Sequence, residues 1–208
     1  MSLFQSVPVQ PEPYELVHEV LDQVRQLIED QPYCCFTLAG ERIYLNASSG
    51  RFLSDVPLAR LIADDGALLM RDIETLTSAD AVMQTVEERG RPLDELLWTI
   101  AWHCSNGQLL EGCRRNDVVS FSRWPNLTRL PANGTTSRIV ALMTARPSSV
   151  VLASRLLGVA EEAVAQVYSA GMRAGYAAPV NRVVEMPTLK SHKHKSLIGR
   201  LMARLQGS

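Results

Sequence analysis

Apolar residues recur at helical spacing across residues 14–30. Leu16, Val17, Val20, Leu21, Val24, Leu27 and Ile28 fall on one face, with Glu15, Glu19, Asp22, Gln26 and Glu29 opposite. The pattern predicts an amphipathic helix. The period then shortens to two. Residues 33–38 and 42–46, rich in β-branched, aromatic and cysteine side chains, flank Ala39-Gly40-Glu41 and predict a β-hairpin. Residues 51–54 read as a further short strand and 58–62 as a helical turn behind Pro57, while 66–76 fits neither period. Ser78 is expected to cap a helix over 79–88, ended by Gly90. Pro92 is expected to open another over 93–104, with Leu93, Leu96, Leu97, Ile100 and Cys104 as its inward stripe. Trp98 and Trp102 stand four apart on the adjoining face, a spacing suited to core or interface anchors.

A short strand is expected over 118–122. Pro125, Pro131 and Asn133-Gly134 then break the pattern and set a domain boundary near residue 132. Beyond it, helices are expected over 137–145 and 151–157, with Leu152, Ala153, Leu156 and Leu157 facing inward. Ser148-Ser149-Val150 reads either as a short strand or as the cap of the second helix. Gly158 takes the turn, because a residue without Cβ adopts positive φ at no steric cost. A third helix follows with Val164, Val167, Tyr168 and Met172 inward, and Gly175 stops it. Residues 176–180 and 182–186 are expected to pair about Asn181 as a hairpin.

This order of helix, helix, turn, helix and hairpin resembles the winged-helix domains of bacterial regulators. The resemblance is carried by Leu152-Ala153, Leu156-Leu157-Gly158-Val159, Val164, Ala170-Gly171 and Ala174-Gly175-Tyr176. The chain is therefore read as a flexible arm (1–13), an α+β module (14–132), a winged-helix-like module (133–187) and a basic tail with a terminal helix (188–208). The N-terminal module comprises the amphipathic helix, the β-hairpin and further helices. In the tail, Leu197, Ile198, Leu201, Met202 and Leu205 form an apolar stripe, with Arg200 and Arg204 outside it.

Charge changes this picture. The formal net charge of −1 hides a split between 19 acids against 11 arginines before residue 137 (11 − 19 = −8) and 10 cations against 3 acids after it (10 − 3 = +7). Lys190, Lys193 and Lys195 are the only lysines. A basic half invites an anionic partner, or simply attraction between the halves. The tail reads as a closing helix docked on the module behind a solvated basic linker, or as a contact for DNA phosphates, an anionic membrane surface, or the acidic module of this or another copy. DNA-reading helices, however, present cations and amides from their first turns. Here Glu161 and Glu162 open the third helix, leaving Gln166 as a base reader and Arg173 near the far end. Phosphate neutralisation supplies most DNA affinity, so the two acids disfavour nucleic acid.

An apolar content of 46% suits a folded chain. No apolar run approaches the roughly 18–20 residues that cross a bilayer, so no transmembrane segment is expected. The first residues lack a signal-peptide pattern, and a cytoplasmic location with reduced cysteines follows. Cys34, Cys35, Cys104 and Cys113 do not have zinc-module spacing, and His192 and His194 lack further ligands. There is no phosphate loop and no nucleophile elbow, so no cofactor, metal or catalytic residue is expected. A site assembled from dispersed residues is the form an enzyme would take here. The function expected is that of a non-enzymatic bacterial regulatory or adaptor protein, working through a protein partner or as a homo-oligomer. The alternative is a DNA-binding transcriptional regulator whose N-terminal module senses or dimerises. Contact residues expected for an anion or partner are Gln166, Arg173, Arg182, Lys190, Lys193, Lys195, Arg200 and Arg204, with Trp98 and Trp102 as interface anchors.

Overall fold

The computed structural model describes residues 13–61 and 70–183. The tail, with Lys190, Lys193, Lys195, Arg200 and Arg204, lies outside the described residues. The amphipathic stripe forms α1 (Pro13–Asp30), which buries Val20, Leu21, Val24, Leu27 and Ile28. The hairpin follows as β1 (Tyr33–Leu38) and β2 (Glu41–Asn46). Its turn is two residues, Ala39 and Gly40, both at positive φ (51° and 80°), which matches the strand twist. Then come β3 (Arg51–Ser54), α2 (Leu58–Leu61), β4 (Met70–Thr75), α3 (Ala81–Arg89), β5 (Arg91–Pro92) and α4 (Leu93–Ser105). The strands form one antiparallel sheet in the order β4-β1-β2-β3-β5.

Alternation along β1 and β2 sends Cys34, Phe36, Leu38, Ile43 and Leu45 to the main core, which α1 and α4 share. Helix α3 packs on β2 and β3, and Asn46 donates to Glu87 to tie them together. The helix begins at Ala81, not at residue 79, with Asp80 in the cap position rather than Ser78. The Asp80 carboxylate accepts from the Thr77 N–H and hydroxyl three residues back, and Asp80 N–H donates to the Thr77 carbonyl, a turn that holds Ser78 before the helix. The stripe of α4 is buried as its spacing predicts.

After α4 the chain forms β6 (Val119–Phe121), α5 (Thr136–Ala145), α6 (Val150–Leu157), α7 (Glu161–Arg173) and β7 (Ala177–Pro179). Residues 148–150 serve chiefly as the cap of the second helix, with one isolated bridge to a strand rather than a strand of their own. Ser148 makes a bridge to Val119, and the Ser149 hydroxyl caps α6 by accepting from Leu152 N. Gly158 ends α6 at φ 63°.

One expectation is corrected and another falls partly outside the described residues. Residues 177–179 form β7, which pairs antiparallel with β6; residues 182 and 183 are in no strand, and residues 184–186 of the expected hairpin lie outside the described residues. Leu152 and Leu156 do not face inward; they are 40% and 53% exposed. Helix α6 packs through Val150 and Ala153, with Leu157 half-buried one turn on, and that face turns Leu152 and Leu156 outward.

Strand β6 lies before residue 132 and its partner β7 well after it, and α4 packs along α7. One apolar core therefore runs on both sides of the expected boundary. The approach of α7 to these strands depends on Gly171, where a Cβ would lie 2.6 Å from Phe121 Cζ and 3.1 Å from Ala177 Cβ. Gly171→Ala is expected to cost about 1–3 kcal/mol through overpacking. A urea melt checks it, and an unchanged midpoint would show that β6 can yield.

Candidate interaction surface

Helix α7 is the element a DNA reader would lay in the major groove, and it is the least available. From Val164 to Met172 every residue except Gln166 is buried, between α4 on one side and α5 and α6 on the other. Gln166 is only partly exposed, and its amide donates to the Trp102 carbonyl at 3.0 Å. Arg173 donates to the Glu111 carbonyl at 3.0 Å, with Asp22 of α1 at 3.7 Å, and its side chain is almost fully buried. Glu161 pairs with Arg115 at 2.7 Å. The residues expected to meet a partner from α7 are thus committed within the fold.

Arg182 is committed as well. Asp117 is buried, and its carboxylate accepts from Arg182 Nε at 2.5 Å, Arg182 Nη2 at 2.7 Å, the Tyr168 hydroxyl at 2.5 Å and the Arg114 N–H at 2.8 Å. Arg182 also donates to the Gly112 carbonyl at 2.6 Å. Asn181 joins in, accepting from Val118 N and donating to the Asn116 carbonyl. Burial by itself raises the Asp117 pKa, but the Arg182, Tyr168 and Arg114 donors outweigh it, so the carboxyl titrates below its ordinary value. Tyr168 is held neutral, first by burial and then by its bond to that carboxylate. The arrangement clamps the chain after β7 onto the loop after α4. Nothing in the sequence marked Asp117, because its partners lie 51 and 65 positions away.

Trp98 is a core anchor. It is fully buried, donates to the Pro131 carbonyl at 3.1 Å, stacks on Trp102 at 6.2 Å and meets Tyr176 edge-on at 5.8 Å. That burial removes it from any partner's reach, while Trp102 keeps partial exposure. Above Tyr176 lies the Arg123 guanidinium at 4.1 Å, itself bonded to Asp94. Burial, then the nearby Asp94 carboxylate, pushes the Tyr176 pKa up to about 12. Glu95, also buried, pairs with Arg91 at 2.7 Å and lies 3.5 Å from Arg129.

Cys34 and Cys104 belong to the apolar core, whereas the Cys35 thiol lies between Arg42 and Glu74. Burial pushes the thiols of Cys34 and Cys113 up to about 11 and that of Cys104 to about 12, which leaves little thiolate at neutral pH. Among the described residues no group of three or more His, Cys, Asp or Glu is placed to hold a metal. None of their helices is long and apolar enough to cross a membrane.

Among the described residues, large apolar side chains are exposed on the outer face of α6 and, singly, at Ile73, Trp124, Val180 and Val183. Leu152 and Leu156 lie one turn apart, with exposed Arg155 beside them by helical spacing. Arg138 of α5 reaches the same end of the helix and donates to the Leu157 carbonyl at 2.8 Å. Exposed Arg146 stands just before α6 begins. Residues 118–160 contain five arginines and no acid; Arg123 and Arg129 meet Asp94 and Glu95, which leaves Arg138, Arg146 and Arg155 around α6. Cations at the end of α6 also suit its dipole, and that contribution is local to the helix. The chain matches no protein-family model, no curated protein and no solved structure.

Two measurements follow. Asp117→Asn is expected to destabilise the fold by roughly 2–3 kcal/mol, the worth of charge-assisted hydrogen bonds. Because the folded pKa of Asp117 is depressed, its stabilisation is present above the unfolded value of about 4 and lost as pH falls through the folded one. Urea melts from pH 7 to pH 3 should show that acid-side loss in the wild type and a shallower one in Asp117→Asn. For the thiols, iodoacetamide at pH 7 is expected to alkylate Cys34 and Cys104 only on unfolding; rapid labelling of the folded chain would contradict their burial.

Proposed function

We propose that this protein is a non-enzymatic regulatory or adaptor protein whose C-terminal helices, α5 to α7, serve protein contact. The reading rests on one contrast. Helix α7 is enclosed, whereas α6 offers two exposed leucines with arginines around them. Exposed apolar side chains grouped on one helix face favour a protein partner over solvent.

The winged-helix reading is kept here as a proposal about scaffold. Helices α5, α6 and α7 supply the helix-turn-helix order, Ser148 bridges β6, and β6 pairs with β7. In this arrangement β6, from before the three helices, stands where the second strand of a wing hairpin would. A DNA-binding regulator is the second reading, favoured by the acid-free stretch 118–160 and the lysines of the tail. Its phosphate contacts would come from Arg146, Arg155 and the tail, not from α7.

Leu152→Asp with Leu156→Asp is expected to leave the urea midpoint within the range of surface changes, about 0.5 kcal/mol, because both side chains are already exposed. The same variant should lose the proteins cross-linked to the wild type in cells. Retention of all of them would overturn the protein-contact reading. Fluorescence anisotropy with mixed duplex DNA at low salt separates the second reading. Weak binding that Leu152→Asp and Leu156→Asp reduce only through charge, and that salt abolishes, would favour DNA.

A further inference from the structure

The α6 face has a counterpart on the same chain. Ile73 of β4 is 48% exposed and sits between Asp72 and Glu74, both exposed. One patch is leucine beside arginine; the other is isoleucine with the Asp72 carboxylate next to it, Glu74 lying on the other face of the strand against Cys35 and Arg42. Strand β4 is the outer strand of the five-stranded sheet. Its edge is poorly suited to adding another strand: Asp72 has φ 51°, and the register with β1 shifts between Cys35 and Thr37. Such a bulge interrupts the ladder and leaves contact to side chains. Glu74 already bonds Arg42 at 2.6 Å, whereas Asp72 has no ion partner among the described residues, nor do Arg146 and Arg155.

We propose that α6 of one copy docks on β4 of a second copy, Leu152 and Leu156 against Ile73 and Arg155 towards Asp72. The inference rests on the reading of the α6 face as a protein-contact surface, and it names the occupant. The two patches lie on different parts of the chain, so the contact is heterologous. Each pair leaves one free α6 and one free β4, and association continues into a ring or an open chain. Opposite charge on the patches makes the contact salt-sensitive, because exposed pairs are screened within about 8 Å at physiological ionic strength.

Sedimentation velocity and native mass spectrometry over micromolar to sub-millimolar protein test this. The wild type should pass from monomer to species larger than a dimer, with affinity falling about two- to fivefold in high salt. Leu152→Asp/Leu156→Asp and Ile73→Lys should each be monomeric alone. Mixed, they should give a one-to-one dimer and nothing larger, because each copy keeps one intact face. Circular dichroism confirms that both variants fold. A wild type that stays monomeric overturns the inference, as does an Ile73→Lys variant that associates like the wild type. A monomeric wild type whose cross-linked partners are still lost in the α6 variant would overturn the second-copy contact alone. Loss of neither association nor cross-linking in that variant would overturn the protein-contact reading as well.

Discussion

The enclosure of α7 governs the C-terminal half. Val164, Val167, Tyr168 and Met172 bury one side of the helix, and Ala165, Ser169 and Ala170 are buried as well. Small residues make this double packing feasible, because two neighbours can approach a helix closely only where its side chains are short. Gly171 carries this furthest, admitting Phe121 and Ala177 where a methyl group would collide. With α4 on one side and α5 and α6 on the other, α7 becomes a central strut. The helix-turn-helix order then no longer implies an exposed reading helix.

A buried carboxylate completes the arrangement. Asp117 gathers a guanidinium, a phenol and a backbone N–H around one charge, and so fixes where the chain runs after β7. A buried ion pair of this kind adds less net stability than its short distances suggest, since both groups lose water on folding. Its effect is positional: losing one partner would strand the other's charge or leave it unsatisfied. Glu95 with Arg91 and Arg129 repeats the device beside α4 on a smaller scale. Arg173, read from the sequence as a contact for an anion, is drawn into a similar internal role by Asp22 and the Glu111 carbonyl.

Local patterns were legible where one short-range force dominates. The stripes of α1 and α4, the β1–β2 hairpin and the glycine turn after α6 all follow from periodicity or from a φ that few residues adopt. The pairing of β7 with β6 was not legible, because strand partners are not encoded locally: residues 177–179 found an edge at 119–121, more than fifty positions back. Leu152 and Leu156 were misplaced for a related reason. On a helix of eight residues with leucine or valine at most positions, composition does not say which face turns inward.

The sequence by itself determined most of the element types, though not β4, together with the inward faces of the long helices and the uneven distribution of charge. These depend on neighbours within a few residues and on counting. The tertiary structure alone decided that α7 is enclosed, that Gln166, Arg173 and Arg182 are spent on internal bonds, and that Leu152 and Leu156 of α6 stay exposed. Those outcomes depend on which distant surfaces meet, because burial is a property of pairs of elements and not of any one of them.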